Sequence, residues 1–320
     1  MNIEEKCILR DKVFEINKEA ARYYRDMLFS EEGEEGMKYL LSRGLTKKTI
    51  RKYGLGFATR NWRGLYNHLK DKGYSDSEME LAALISTDEK ACDKFKYRVM
   101  FPIVDRMKNV IAFGGRALER DANAKYLNSS ETVVFHKSNN VFSINFAMKS
   151  DKDYLILCEG YMDVIALNQA GYDNAIATLG TAITPQQAIL MSRYTSSVVI
   201  AYDSDEAGQK ATQRAIELLT ETGIDVKILK MSGAKDPDEY IKKYGKESFE
   251  ELIVNSQTAK KFRFEKMENT IIDASDSEMN DILSECVDFI SSLPTKNRDE
   301  YVEKILISCE RRKKNEKRAV

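Results

Sequence analysis

Apolar positions along this chain fall into three regimes. Over residues 3–29 they recur at helical spacing, with Ile8, Val13, Ile16, Ala20, Tyr24, Met27 and Leu28 able to share one face. Ser30-Glu31-Glu32-Gly33 breaks that pattern, and shorter helical pieces are expected at 36–41, 46–53, 61–69 and 79–85. Thr46 and Gly54 bracket one of them as N-cap and stop. A hairpin follows, with strands at 97–104 and 110–113 around a turn at Asp105-Arg106-Met107-Lys108-Asn109. From Tyr154 onward, strand alternates with helix. Strands are expected at 154–158, 174–178, 197–202 and 225–230, with helices at 161–169, 185–194 and 206–222. Asp236-Pro237 reads as an N-cap followed by proline in the first helical turn, and Gly245 as the end of that helix. Beyond Lys246 the signals are helical only, at 248–254, 258–272, 278–290 and 298–310.

Alternating strands and helices imply a mainly parallel sheet with covered faces. The expected class is therefore α/β locally and α+β overall. The expected parts are a mixed helical and β segment (1–138), a parallel-sheet segment (139–250) and a helical segment (251–320).

The loops after parallel strands share one edge, which is where such sheets bind ligands. Here those loops carry acids. Glu159 and Asp163 follow one strand, Asp203 and Asp205 a second, and Asp236 and Asp238 a third. Any one pair is explained by helix capping and the positive end of the helix dipole. Their convergence is harder to explain that way. Two like charges about 4 Å apart repel by roughly 4 kcal/mol at an effective dielectric near 20. Carboxylates gathered on one edge would take up protons or need a cation. An oxygen-only donor set favours Mg²⁺ or Mn²⁺ over zinc, and such ions serve phosphoryl transfer. Glu159 ends an apolar strand, so burial there would raise its pKa and suit it to proton transfer as well as metal binding. The competing reading makes it one more ligand or the partner of a cation.

Charge sharpens this picture. The formal net charge is only −1. Residues 94–140 nevertheless carry nine Lys/Arg against four Asp/Glu, and residues 151–240 carry seven against fourteen. A basic surface beside an acidic pocket suits a polyanion gripped near a metal. Within the basic stretch, Gly114-Gly115 precedes Arg116. It reads either as a bulge or sheet exit, or as a place where a ligand comes close. Lys125-Tyr126-Leu127-Asn128 and Phe135-His136-Lys137 interleave basic, aromatic and amide groups, as a phosphate- and base-contacting surface would.

Five widely spaced cysteines and two histidines form no zinc pattern and no disulfide framework, which fits a reducing, cytoplasmic setting. No apolar run approaches membrane-spanning length, and the N-terminus carries no signal core. The basic run at 311–318 reads as a frayed tail or linker.

Glu159-Gly160-Tyr161-Met162-Asp163, together with Asp203-Ser204-Asp205-Glu206-Ala207-Gly208, resembles a Toprim domain. That fold is shared by bacterial primases, type IA and type II topoisomerases and some nucleases. The flanking segments narrow the resemblance to the catalytic core of DnaG-type bacterial primase. They are Arg98-Val99-Met100-Phe101-Pro102-Ile103, Phe113-Gly114-Gly115-Arg116, Lys125-Tyr126-Leu127-Asn128, Phe135-His136-Lys137, Thr178-Leu179-Gly180-Thr181 and Asp236-Pro237-Asp238.

The resemblance implies a DNA-templated RNA polymerase that makes short RNA primers on single-stranded DNA from ribonucleoside triphosphates, at the replication fork. By position it implies Glu159, Asp203 and Asp205 as catalytic residues. Glu159, Asp163, Asp203, Asp205, Asp236 and Asp238 would form the Mg²⁺ or Mn²⁺ site. Arg116, Lys125, Asn128 and Lys137 would handle template and nucleotide phosphates, with Lys52 a looser match. Ser204 stands where many members carry glycine, with both aspartates keeping their spacing. Family members usually begin with a zinc-binding domain and end with a helicase-binding domain. The expectation is thus a core cut from a longer protein, without zinc and without the helicase contact. A Toprim-type nuclease and a non-catalytic single-strand binding module are the alternatives.

Overall fold

Seven residues of nearly unbroken apolar character make Arg98–Val104 a buried strand, and Asp105 folds the chain back. Its carboxylate accepts from the backbone N–H groups of Met107 and Asn109, both at 2.8 Å, which closes the turn. The computed structural model describes residues 3–87, 90–119, 124–180, 182–293 and 295–319. It divides into two compact units, Met1–Ser256 and Gln257–Val320.

In the first unit the strands are, in chain order, β1 (Gly56–Ala58), β2 (Ile85–Ser86), β3 (Cys92–Asp93), β4 (Arg98–Val104), β5 (Val110–Ala117) and β6 (Tyr126–Asn128). They continue with β7 (Leu155–Cys158), β8 (Ala175–Ala177), β9 (Ser197–Ala201) and β10 (Asp225–Ile228). Of the first group, β1, β4, β5 and β6 make an antiparallel sheet in the order β1-β4-β5-β6, while β2 pairs with β3 in a separate two-stranded sheet. The second group makes the parallel order β10-β9-β7-β8. One apolar core joins the two: Phe57, Val99 and Phe101 from the antiparallel sheet belong to the same cluster as Ile156, Val164, Ile165 and Val199. The long helix Ile3–Leu28 lays Val13, Ile16, Ala20 and Tyr24 on a second cluster that includes Met100 and Phe113.

The structure departs from the sequence pattern in several places. The helix expected at 79–85 is Asp76–Leu81, started by a capping box between Ser75 and Glu78. Ala83, at φ 55°, ends the helical course and Ile85 enters β2. Gly114-Gly115 is neither a bulge nor a sheet exit. Both glycines are paired in mid-strand, Gly114 with Phe101 and Asn128, Gly115 with Met100 and Leu127. Gly245, by contrast, does end its helix as expected: at φ 80° it breaks the helical course that starts at Pro237, and a second helical segment runs on to Val254.

The second unit packs helices Ala259–Asp273, Met279–Ser291 and Thr295–Ala319 around Phe264, Met267, Ile271, Cys286, Phe289, Leu293 and Ile305. The basic run expected to fray continues the last helix. Arg312 is buried and anchors it, donating to the Ala274 carbonyl at 2.8 Å and pairing with Asp276 at 2.5 Å. No described helix is long and apolar enough to cross a membrane.

Candidate active site

Strands β7 and β9 run side by side with Cys158 opposite Ala201, so their C-terminal ends finish level. Glu159 is the next residue on one and Asp203 follows shortly on the other. They touch: the Asp203 N–H donates to Glu159 Oε1 at 3.1 Å. The helix after β9 comes close because its first turn carries Gly208. A Cβ there would lie 2.1 Å from the Asp203 carbonyl and 3.0 Å from Glu159 Oε1. Asp205 is the N-cap of that helix, with Oδ1 accepting from the Gly208 N–H at 2.8 Å. The loop after β10 is held to the same edge by the Ser204 N–H, which donates to the Lys235 carbonyl at 3.0 Å. Asp236 then caps its own helix, accepting from the Glu239 N–H at 2.8 Å.

Asp163 is buried. It is 8% exposed and accepts from two backbone N–H groups, Gly160 at 3.1 Å and Asp238 at 3.4 Å. The latter bond ties the β7 and β10 loops together. The six expected acids are therefore brought to one edge of one sheet. In this arrangement Glu159, Asp163, Asp205 and Asp236 each place an oxygen on a backbone N–H. Among the described residues no three His, Cys, Asp or Glu side chains are posed together around a common point.

Electrostatics separates the acids. Burial pushes the Asp163 carboxyl up to about 8, helped by the nearby Asp236, Asp203 and Asp238 charges. Glu159 is raised by burial, then by Asp203 and Asp205, against the stabilising Asp203 N–H. Asp203 is raised by burial, then by Asp236 and Asp205, while Lys235 and Lys125 pull it back. The expected elevation of Glu159 is thus present, and Asp163 exceeds it because that side chain is almost wholly enclosed. Three carboxyls destabilised by burial and by one another, in an oxygen-only set, form the kind of site that a hard divalent cation fits.

Asp238, expected among the metal ligands, stands among cations of the chain. It is 2% exposed, pairs with Arg43, and has Lys242 Nζ at 2.6 Å from Oδ1. Its neighbourhood therefore supplies its own countercharge. Nothing about Ser42-Arg43-Gly44 in the sequence marks Arg43 for this, because 195 residues separate the partners.

The basic residues divide as well. Lys125 is exposed and close enough to Asp203 to favour its ionised form. The Arg116 guanidinium lies over the Tyr126 ring at 5.4 Å and near Tyr39 at 5.8 Å. It donates to the Ala117 carbonyl at 2.9 Å, while its buried Nε has no partner among the described residues. Lys137 acts electrostatically on Lys94. Burial and that second ammonium hold Lys94 below its usual value. Sequence reasoning missed Lys94; the signal available was its place in the same basic stretch.

Asn128, expected on a nucleotide, spends its amide inside the fold. Nδ2 donates to the Leu179 carbonyl at 2.7 Å and Oδ1 accepts from the Tyr161 hydroxyl at 2.6 Å. Lys52 likewise donates to Asn168 Oδ1 at 2.6 Å and lies over the Phe146 ring. Thr181, part of the motif quoted above, lies outside the described residues.

Comparisons with known proteins agree with this architecture. Residues 23–148 match the family model for the DNA primase catalytic core, N-terminal domain, and residues 156–241 match the Toprim-like model. The chain is 44% identical over 298 residues to a DNA primase of Clostridium acetobutylicum, covering 92% of this chain and 49% of that one. It spans about half the length of the curated relatives it matches. A DNA primase domain from Pseudomonas aeruginosa superposes with a TM-score of 0.78 at 32% identity, covering 93% of this chain and 96% of that one. A DnaG primase catalytic domain, solved bound to single-stranded DNA, gives a TM-score of 0.78 at 30% identity, with 93% and 99% covered. A fold of paired antiparallel and parallel sheets, an acid-lined edge and these matches over nearly its whole length place the chain in the DnaG-type bacterial primase catalytic-core family.

Proposed function

We propose that this chain is the polymerising core of a primase, an enzyme that joins ribonucleotides into short RNA primers on single-stranded DNA. One observation carries the reading: Asn128, at the end of the basic strand β6, accepts from the Tyr161 hydroxyl at 2.6 Å and donates to the Leu179 carbonyl at 2.7 Å, so that strand is bonded to the parallel sheet that bears the acidic edge. The two surfaces are therefore halves of one site, as a polymerase that grips phosphates beside a metal requires. The single-stranded DNA on the related catalytic domain supports the same reading.

Glu159, Asp163, Asp203, Asp205 and Asp236 would hold divalent metal, Mg²⁺ or Mn²⁺. Asp205 and Asp236 each keep one oxygen free of the cap bond. When bound, such an ion would neutralise phosphate charge and favour ionisation of the attacking primer hydroxyl. Asp238 acts indirectly, through its N–H on Asp163 and its ion pair with Arg43. Arg116, Lys125 and Lys137, joined by Lys94, would carry the nucleotide and template phosphates. Asn128 serves that surface by positioning it.

The test is metal-dependent incorporation of labelled ribonucleotides on single-stranded template. Incorporation that requires Mg²⁺ or Mn²⁺ and disappears in Asp203→Asn is expected. Metal-dependent nicking of DNA without incorporation would replace this reading with a nuclease.

A further inference from the structure

Tyr161 stands between Glu159 and Asp163 in the chain, yet it faces the other sheet. It opens helix Tyr161–Gln169 and is 5% exposed. Its ring stacks on Phe101 at 5.2 Å and 14°, meets Phe142 edge-on at 4.7 Å, and lies 5.9 Å from Tyr126. Its hydroxyl donates to Asn128 Oδ1 at 2.6 Å. The contacts have one register: Phe101, Gly114 and Asn128 are a single rung across β4, β5 and β6. Tyr161 lies across that rung. Gly114 makes this possible, since a Cβ there would be 2.5 Å from the Tyr161 ring. The need for glycine at this position thus comes from Tyr161.

The next rung but one is Arg116 with Tyr126. Arg116 is two residues from Gly114, and Tyr126 two from Asn128, so all four share a face of the sheet. A packed series therefore runs from the acid-bearing helix through Tyr161 and Tyr126 to the Arg116 guanidinium. Lys125 immediately precedes this rung. The far end is closed as well, because Asn128 Nδ2 holds the Leu179 carbonyl, just beyond β8 of the parallel sheet.

We infer that Tyr161 is a positioning residue that sets the spacing between the acidic edge and the basic strand. Its hydroxyl bond to Asn128 fixes where Arg116 and Lys125 stand relative to the carboxylates. The inference rests on the polymerase reading for its consequence, which is nucleotide affinity. The proposed metal ligands come from loops and first helical turns of the parallel sheet, and the Tyr161 hydroxyl bonds none of them, so removing that hydroxyl leaves them in place. Loss of the hydroxyl should weaken nucleotide binding while leaving metal binding intact.

The experiment uses the whole chain, as wild type and as Tyr161→Phe. Binding of Mn²⁺ alone is followed by electron paramagnetic resonance, and binding of a fluorescent ATP analogue with Mn²⁺ by anisotropy. Thermal unfolding and the split between KM and kcat in ribonucleotide incorporation are measured on the same samples. The expected result is Mn²⁺ affinity within about twofold of wild type and nucleotide affinity reduced by about fivefold or more, the worth of one buried hydrogen bond. KM should rise more than kcat falls. Equal loss of Mn²⁺ and nucleotide affinity would mark Tyr161 as a general structural residue and overturn the inference. Unchanged nucleotide affinity would also overturn it. Gly114→Ala, which forces the ring out of place, should repeat the pattern with a larger loss. Its failure to move nucleotide affinity in folded protein would count against the clamp. If wild type binds nucleotide but incorporates none, the polymerase reading falls, and the binding data still decide the role of Tyr161. If wild type binds neither Mn²⁺ nor nucleotide, both fall.

Discussion

The acidic edge and the basic strand are built by different rules. The acids sit immediately after parallel strands, where strand order and level ends bring them together whatever their side chains do. Cys158 opposite Ala201 is enough to set Glu159 beside Asp203. The basic residues instead lie on an antiparallel sheet whose face and register must be known before any of them can be placed. Arg116 and Tyr126 meet because β5 and β6 pair there. Lys94 feels the charge of Lys137 although the two stand 43 positions apart in the chain. The acidic half is thus robust to side-chain detail and strained in charge. The basic half shows charge strain at Lys94 and Arg98 and is sensitive to packing.

The sharpest break of this comparison is Asp203→Asn. If the acidic edge does the chemistry, ribonucleotide incorporation should fall on the order of 10³-fold. The circular dichroism spectrum should stay that of wild type, because Asp203 contributes its N–H, and not its carboxylate, to the bond with Glu159. Next is Gly114→Ala on the basic side. Overpacking the Tyr161 ring should cost about 1–3 kcal/mol in denaturant unfolding. A cost near zero would mean that the two sheets are not locked there.

Arg43→Met probes the one acid that the chain neutralises itself. Lys242 remains, so the loss should be below the 3–5 kcal/mol typical of a buried charge left alone, at about 2 kcal/mol. Adding Asp238→Asn should recover part of it, and a double-mutant cycle measures the coupling.

Asp163 gives a pH test of the charge strain. Its folded value of about 8 lies above the ordinary aspartate value of 3.8, so the folded state holds a proton that the unfolded state has lost across that window. Its contribution to stability is fully present below about pH 4 and is lost as pH rises toward 8. Metal must displace the same proton, so Mn²⁺ affinity should climb with pH up to about 8 and level off above it. Asp163→Asn should shrink both slopes, leaving the part that Glu159 and Asp203 contribute. The smallest effect is expected from Lys137→Gln. Single-stranded DNA binding should weaken, and the slope of log K against log salt should shrink by about 0.7, one phosphate contact.

Much of the fold was legible because its local signals are strong. Thr46 caps helix Lys47–Tyr53 and Gly54 ends it at φ 63°, as their chemistry requires. Asp236-Pro237 starts its helix as expected. The three-residue strands β1 and β6 were not legible, because segments so short acquire strand geometry only from their neighbours β4 and β5. Within the site, the acids were readable one by one, but their uses were not. Asp238 reads like Asp236 in sequence, and only the approach of Arg43 and Lys242 sets it apart. Asn128 reads like a ligand contact, and only Tyr161 and Leu179 show its amide to be consumed.

The sequence by itself determined that strands deliver acids to one edge and that basic residues precede them. Strand ends, caps and charge runs are written in adjacent residues, and backbone chemistry acts over that range. Tertiary structure decided which acid is buried to a pKa of about 8 and which is paired. It also decided which polar side chain is spent on holding the two sheets in register. Those outcomes depend on desolvation and on partners tens to hundreds of residues away, and neither exists until the chain has packed.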